Sequence, residues 1–268
     1  MDNRSEHSVA GGLVELRARR SDAVPLLAVA IAATGAWIYL TLLHPMPGGM
    51  TPTQMAGMKN LAPGSYGWPE GVLLFVMWAV MMVAMMVPSA APMILLFSRI
   101  ARARSARGAE YAPVGFFALG YLGLWWAFAA VAAFVQWELD VHAGLTADMR
   151  IRPLAAGLVL IAAGTYQWLP LKQACLRQCR TPLGFLSQSW REGPQGAVVM
   201  GLTHGAFCVG CCWLLMALLF AAGVMNLLWV AALSIIVLLE KTFTQGPVIS
   251  RILGIILIGA GVVQLVRV

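Results

Sequence analysis

Residues 195–223 read QGAVVMGLTHGAFCVGCCWLLMALLFAAG, a run whose only titratable side chains are one histidine and three cysteines. An apolar helix needs about 20 residues to cross the hydrocarbon core of a bilayer, and this run is longer than that. The rest of the chain repeats the pattern. Of its 268 residues, 60% are hydrophobic and 11% charged, where a soluble domain carries roughly 25% charge. The mean hydropathy is +0.79. These values predict an all-α, polytopic helical membrane protein.

Further apolar runs lie at 23–43, 71–98, 113–138, 153–173, 225–240 and 248–267. With 195–223 they predict seven transmembrane helices, of which 225–240 is the shortest and is joined to its predecessor by almost no loop. Residues 1–22 are polar and arginine-bearing and read as a disordered cytoplasmic tail, leaving 23–268 as a single transmembrane bundle. The run 23–43 lacks the short apolar core and small-residue cleavage site of a secretory signal, so it reads as a retained first helix.

Charge asymmetry orients the bundle. With the N-terminus inside, the inner segments hold Arg4, Arg17, Arg19, Arg20, Arg99, Arg102, Arg104, Arg107, Lys172, Arg177, Arg180, Arg191, Lys241 and Arg251, and only Lys59, Arg150, Arg152 and Arg267 fall outside. That is the positive-inside distribution of a protein of the bacterial inner membrane, and seven helices place the C-terminus outside. The formal charge of +7 therefore reflects topology. No basic stripe interleaved with aromatics argues for nucleic acid, and no P-loop, Rossmann fingerprint or Ser/His/Asp arrangement argues for soluble-type catalysis.

Within 195–223, helical geometry constrains the polar residues. Taking His204 as 0°, Cys208 falls near 40°, Cys211 near −20° and Cys212 near 80°, an arc of about 100° on one face. His204 and Cys211 are nevertheless separated by about 10 Å along the axis, too far to share one ion through bonds of about 2.0–2.3 Å. Only pairs four apart, His204 with Cys208 or Cys208 with Cys212, meet without distortion. The motif thus reads as half a site, or as a two-step ladder, that needs partners from elsewhere.

Soft ligands occur throughout the chain. The run at 71–98 carries Met77, Met81 and Met85 on one stripe and Met82, Met86 and Met93 on another. Pro88 and Pro92 predict a break beside them, and Met81 and Met85 are the first candidates for the missing ligands. The segment 44–70 reads as a Met-rich outer loop with His44, Met46, Met50, Met55 and Met58, while His142 and Met149 fall on the same side. Cys175 and Cys179 lie four apart near the inner boundary, on one face of a continuing helix, and read equally as a thiolate exit site or as ordinary cysteines. Glu240 and Lys241 read as an interfacial ion pair with the lysine snorkelling, and Tyr121 as an interfacial anchor.

Thiols, thioethers and one imidazole favour a soft metal, copper(I) first and zinc second. Magnesium or calcium would require a carboxylate cluster that the chain lacks. Buried cysteine also serves as a small hydrophobe, but a histidine within a bilayer is expensive and marks function.

The segments Met81-Met-Val-Ala-Met85-Met-Val-Pro-Ser89, Tyr166-Gln-x-x-Pro-Leu-Lys172 with Cys175 and Cys179, His204-Gly-x-x-Cys208-x-Gly-Cys211-Cys212-Trp213, and Gly223-x-Met-Asn226 followed by Glu240-Lys241 resemble a bacterial family of predicted metal-binding integral membrane proteins of unknown function. The resemblance implies a metal-binding polytopic protein and assigns no substrate or reaction. The primary expectation is soft-metal transport, delivery or homeostasis, with the lipid bilayer, the metal ion and a metal-donating or metal-receiving protein as partners. The alternatives are a membrane oxidoreductase working through thiols or haem, and a scaffold without metal.

Overall fold

A computed structural model describes residues 3–43, 68–143, 150–224 and 226–267. The Met-rich segment 44–67, with His44 and its four methionines, lies outside the described residues, as does Met149. Every regular element among the described residues is helical: α1 (Asn3–Leu43), α2 (Trp68–Ser105), α3 (Val114–Glu138), α4 (Pro153–Tyr166), α5 (Pro170–Arg180), α6 (Pro182–Ser189), α7 (Gly193–Ala222), α8 (Leu227–Thr242) and α9 (Gly246–Val266). A short π-helical turn, Leu139–Ala143, continues α3.

Five stretches are long and apolar enough to cross a membrane: Asp22–Leu42, Gly71–Ser105, Val114–His142, Gly193–Ala222 and Gly246–Val266. The predicted span 153–173 is instead a broken pair, α4 and α5, bent by 65°. Pro170 opens α5 at its N1 position, where the missing N–H costs nothing but the preceding residue is driven to extended backbone. The run at 225–240 forms α8, whose 16 residues fall short of a full crossing.

α7 lies at the centre, packed against α3, α4, α5 and α8, while α2 joins α1 and α3 and also touches α8. A helix enclosed on so many sides must be apolar all round, as the sequence of α7 is. Glycines set its approach to α3. A Cβ on Gly201 would stand 2.1 Å from the Phe117 carbonyl oxygen, and one on Gly120 would stand 2.3 Å from that of Val198. Small residues of this kind allow the close backbone packing by which helices associate in lipid.

One expectation for α2 needs correction. Pro88 and Pro92 lie inside one uninterrupted helix, so the methionine helix is not broken. In the same stretch, Ser89 and Tyr121 both donate to the Met86 carbonyl, at 2.9 and 3.3 Å. Met77, Met81, Met82, Met85, Met86 and Met93 are all buried, because α2 is covered by α1, α3 and α8 together.

Polar contacts gather the basic residues at one end. Arg99 binds Asp22 at 2.9 Å and Arg102 binds the same carboxylate. Arg104 donates to Glu192 at 2.8 Å, and Arg180 donates to the Phe243 and Thr244 carbonyls at the end of α8, at 2.8 and 2.6 Å. The Ile151 N–H meets the Phe220 carbonyl where α4 starts and α7 ends. α4 therefore runs antiparallel to α7, and beyond the 65° bend α5 also packs against α7, with its thiols alongside those of the central helix.

Candidate thiol centre

Cys208, on α7, is the node of the site. Its sulfur accepts from the Lys241 ammonium at 2.9 Å, and the Tyr121 hydroxyl lies 3.1 Å away. Lys241 also donates to Ser89 at 3.0 Å. Four helices thus meet at one sulfur: α7 supplies it, α8 the ammonium, α3 the phenol and α2 the serine that steadies the ammonium. All four residues are buried. A buried ammonium is tolerated only beside a compensating charge or a dense set of acceptors, so the surroundings favour Cys208 as thiolate.

The other thiols surround it. Cys211 and Cys212 donate to the Cys208 carbonyl at 3.1 and 3.0 Å, and this back-bonding to the preceding turn holds both sulfurs close to Cys208. Across the helix interface, the half-buried Cys179 of α5 stands within side-chain interaction range of Cys208 and Cys211. Cys175, one turn earlier on α5, lies against Gly210, where a Cβ would come within 2.9 Å of its sulfur. Tyr166 closes this side by donating to the Gly210 carbonyl. The cysteines predicted on two separate segments therefore form one group, with Cys179 level with Cys208 and Cys175 level with Cys211.

Among the described residues, no set of three or more His, Cys, Asp or Glu side chains is already arranged as a metal centre. The thiols are held instead by the hydrogen bonds just described. The donor chemistry still suits a soft monovalent ion, since sulfur is abundant and no carboxylate reaches the node. His204 takes a different position. Its ring stacks with Phe117 and Tyr121 at centroid distances of 6.2 and 5.7 Å and lies tilted by 56° against Phe185 at 5.4 Å. Its Nδ1 is buried with no hydrogen-bonding partner among the described residues. Met81 is buried in the core, and Met85 lines a cavity with Trp37, Pro88, Ser234 and Leu238. The part of α2 that touches the node is Met86 to Ser89.

A second polar cluster adjoins the first. The Lys172 ammonium reaches both Glu240 oxygens, at 3.0 and 2.8 Å, and also donates to Gln167. Ser250 donates to the same carboxylate at 2.8 Å. The expected interfacial pair between Glu240 and Lys241 is therefore corrected. The two are neighbours in sequence, but Glu240 faces α5 and α9 while Lys241 faces α2, α3 and α7, and both are buried. Adjacent helical residues point about 100° apart, which lets one turn of α8 serve both clusters.

Residues 75–264 match the model of a family described as "PpoB2: Copper chaperone". No curated protein and no solved structure matches the chain.

Proposed function

From the membership of this chain in that family of copper chaperones, which its match over residues 75–264 establishes, we propose that it carries copper(I) within the membrane and passes it to a client protein. The metal is the cargo. The observation that carries this reading is the convergence of thiols from two helices on Cys208, beside a buried cation and shielded from water. Cys208 with Cys179, Cys211 or Cys212 forms the first binding pair. Cys211 with Cys175 forms a second about one turn away. His204, Met81 and Met85 are candidates for completing or extending the path.

Copper(I) accepts two or three thiolates, so an ion can pass between overlapping pairs by gaining a third sulfur before losing the first. The residues of this chain make such exchange easy. Cys208 already lies against the Lys241 ammonium, and Cys211 and Cys212 need only turn away from a carbonyl to present sulfur. The positive-inside distribution supports an inner-membrane orientation with the N-terminus and the basic end inside, which places Cys179 near the cytoplasmic side.

Purified, reduced protein in detergent, titrated anaerobically with copper(I) against a chromogenic chelator, is expected to hold stoichiometric metal. The Cys208→Ser variant is expected to lose it, and Cys175→Ser to keep a weakened site. Wild-type protein without stoichiometric copper, or Cys208→Ser protein binding as wild type does, would contradict the proposal.

A further inference from the structure

Charge balance around Lys241 sets this lysine apart from the other buried base. Lys172 is matched by Glu240, 2.8 Å away, with side chains 0% and 2% exposed, so that pair is neutral. Lys241 has no carboxylate partner among the described residues. Among the described residues, its ammonium hydrogen-bonds the Cys208 sulfur and Ser89, and the Tyr121 hydroxyl faces the same sulfur. The countercharge of this ammonium must therefore come from sulfur or phenol.

We infer that Lys241 is the specificity-determining residue of the thiol centre, its fixed positive charge selecting a monovalent copper(I) bis-thiolate over a divalent zinc complex. This inference rests on the copper reading above. Two thiolates with copper(I) give a net charge of −1, which one ammonium neutralises. Two thiolates with zinc(II) are neutral and leave Lys241 unpaired in a medium of low dielectric. Three thiolates with zinc(II) restore neutrality but need a fourth ligand for the tetrahedral set, and the His204 ring that could supply it is held among Phe117, Tyr121 and Phe185. Loading balances as a ligand exchange. A donor bis-thiolate copper(I) complex meets Cys208 as thiolate and a neighbouring cysteine as thiol. The neighbour's proton passes to one departing donor thiolate, and the second donor thiolate leaves as the anion. Lys241 keeps its proton throughout, and the sulfur group carries a charge of −1 before and after, balanced each time by the ammonium.

Residues outside the ligand sphere commonly change metal affinity by about 10–100-fold. The test measures copper(I) and zinc(II) affinities by chelator competition for wild type, Lys241→Met, Lys241→Arg and Ser89→Ala. Lys241→Met is expected to lose at least about tenfold in copper(I) affinity while zinc(II) affinity holds or rises. Lys241→Arg, which keeps the charge, should retain the wild-type preference. Ser89→Ala frees the ammonium without removing it and should shift the ratio in the same direction by a few fold, which keeps the test decisive if Lys241→Met fails to fold. An unchanged copper-to-zinc ratio in the Met and Ala variants, with wild type loading copper normally, overturns this inference alone. A wild type that binds no copper overturns the proposed function instead.

Discussion

Replacing Glu240 by glutamine leaves Lys172 as a buried ammonium facing a neutral amide. The wild-type contact is bidentate, at 2.8 and 3.0 Å, with Ser250 as a further donor, and the two side chains are 0% and 2% exposed. Removing one partner from such a pair costs about 3–5 kcal/mol, because the remaining charge stays desolvated. At about 2–4 °C per kcal/mol for a chain of this size, the apparent melting midpoint should fall by roughly 10 °C. The assay is thermal unfolding in detergent, followed by tryptophan fluorescence, on Glu240→Gln, Lys172→Met and the double variant. The double variant removes both charges and should recover to within about 2 kcal/mol of wild type. A single variant that melts with wild type, or a double variant no more stable than the singles, would refute the buried pair.

Gly201→Ala drives a methyl group to 2.1 Å from the Phe117 carbonyl oxygen, so α3 and α7 must part, at about 1–3 kcal/mol. Its melting midpoint should fall, while Gly259→Ala, which meets nothing within 4 Å, should leave stability unchanged. Asn226 accepts from the Leu228 and Trp229 N–H groups, at 3.1 and 3.4 Å, at the start of α8. Asn226→Ala is expected to cost about 1 kcal/mol, read as a small midpoint shift with copper loading retained.

Hydropathy located α1, α2, α3, α7 and α9 because spanning length is a property of each local run. The break between α4 and α5 was harder to see. Leu169 and Pro170 sit near the inner end of the predicted span, just before the basic stretch from Lys172 to Arg180, and a proline there is as compatible with a kink as with a 65° turn. At Pro88 and Pro92 the same signal pointed to a break, and the helix runs on through both. Within the site, periodicity grouped His204 with the three cysteines and Cys175 with Cys179. It did not identify Tyr121, Ser89 or Lys241 as their neighbours. Those contacts cross 87 residues from Tyr121 to Cys208, 33 from Cys208 to Lys241 and 152 from Ser89 to Lys241, and each residue alone has an ordinary reading. A lysine beside a glutamate was the one available clue. It misled, because side chains adjacent in a helix diverge.

The bend before α5 has a mechanical consequence. Leu169, at the break, acts as a fulcrum, and Cys179 lies ten residues beyond it, about 15 Å at helical rise. Lys172 pins the limb close to the fulcrum, where a tether resists sliding but hardly resists rotation. The far end is held by exposed hydrogen bonds from Arg180 to two carbonyls, which water can replace. A swing of about 10° would move the Cys179 sulfur by about 2.6 Å, comparable to a metal–sulfur bond of about 2.3 Å. Placing a ligand at the end of such a lever turns a small rotation into the making or breaking of a coordination bond, and leaves the buried half of the centre undisturbed.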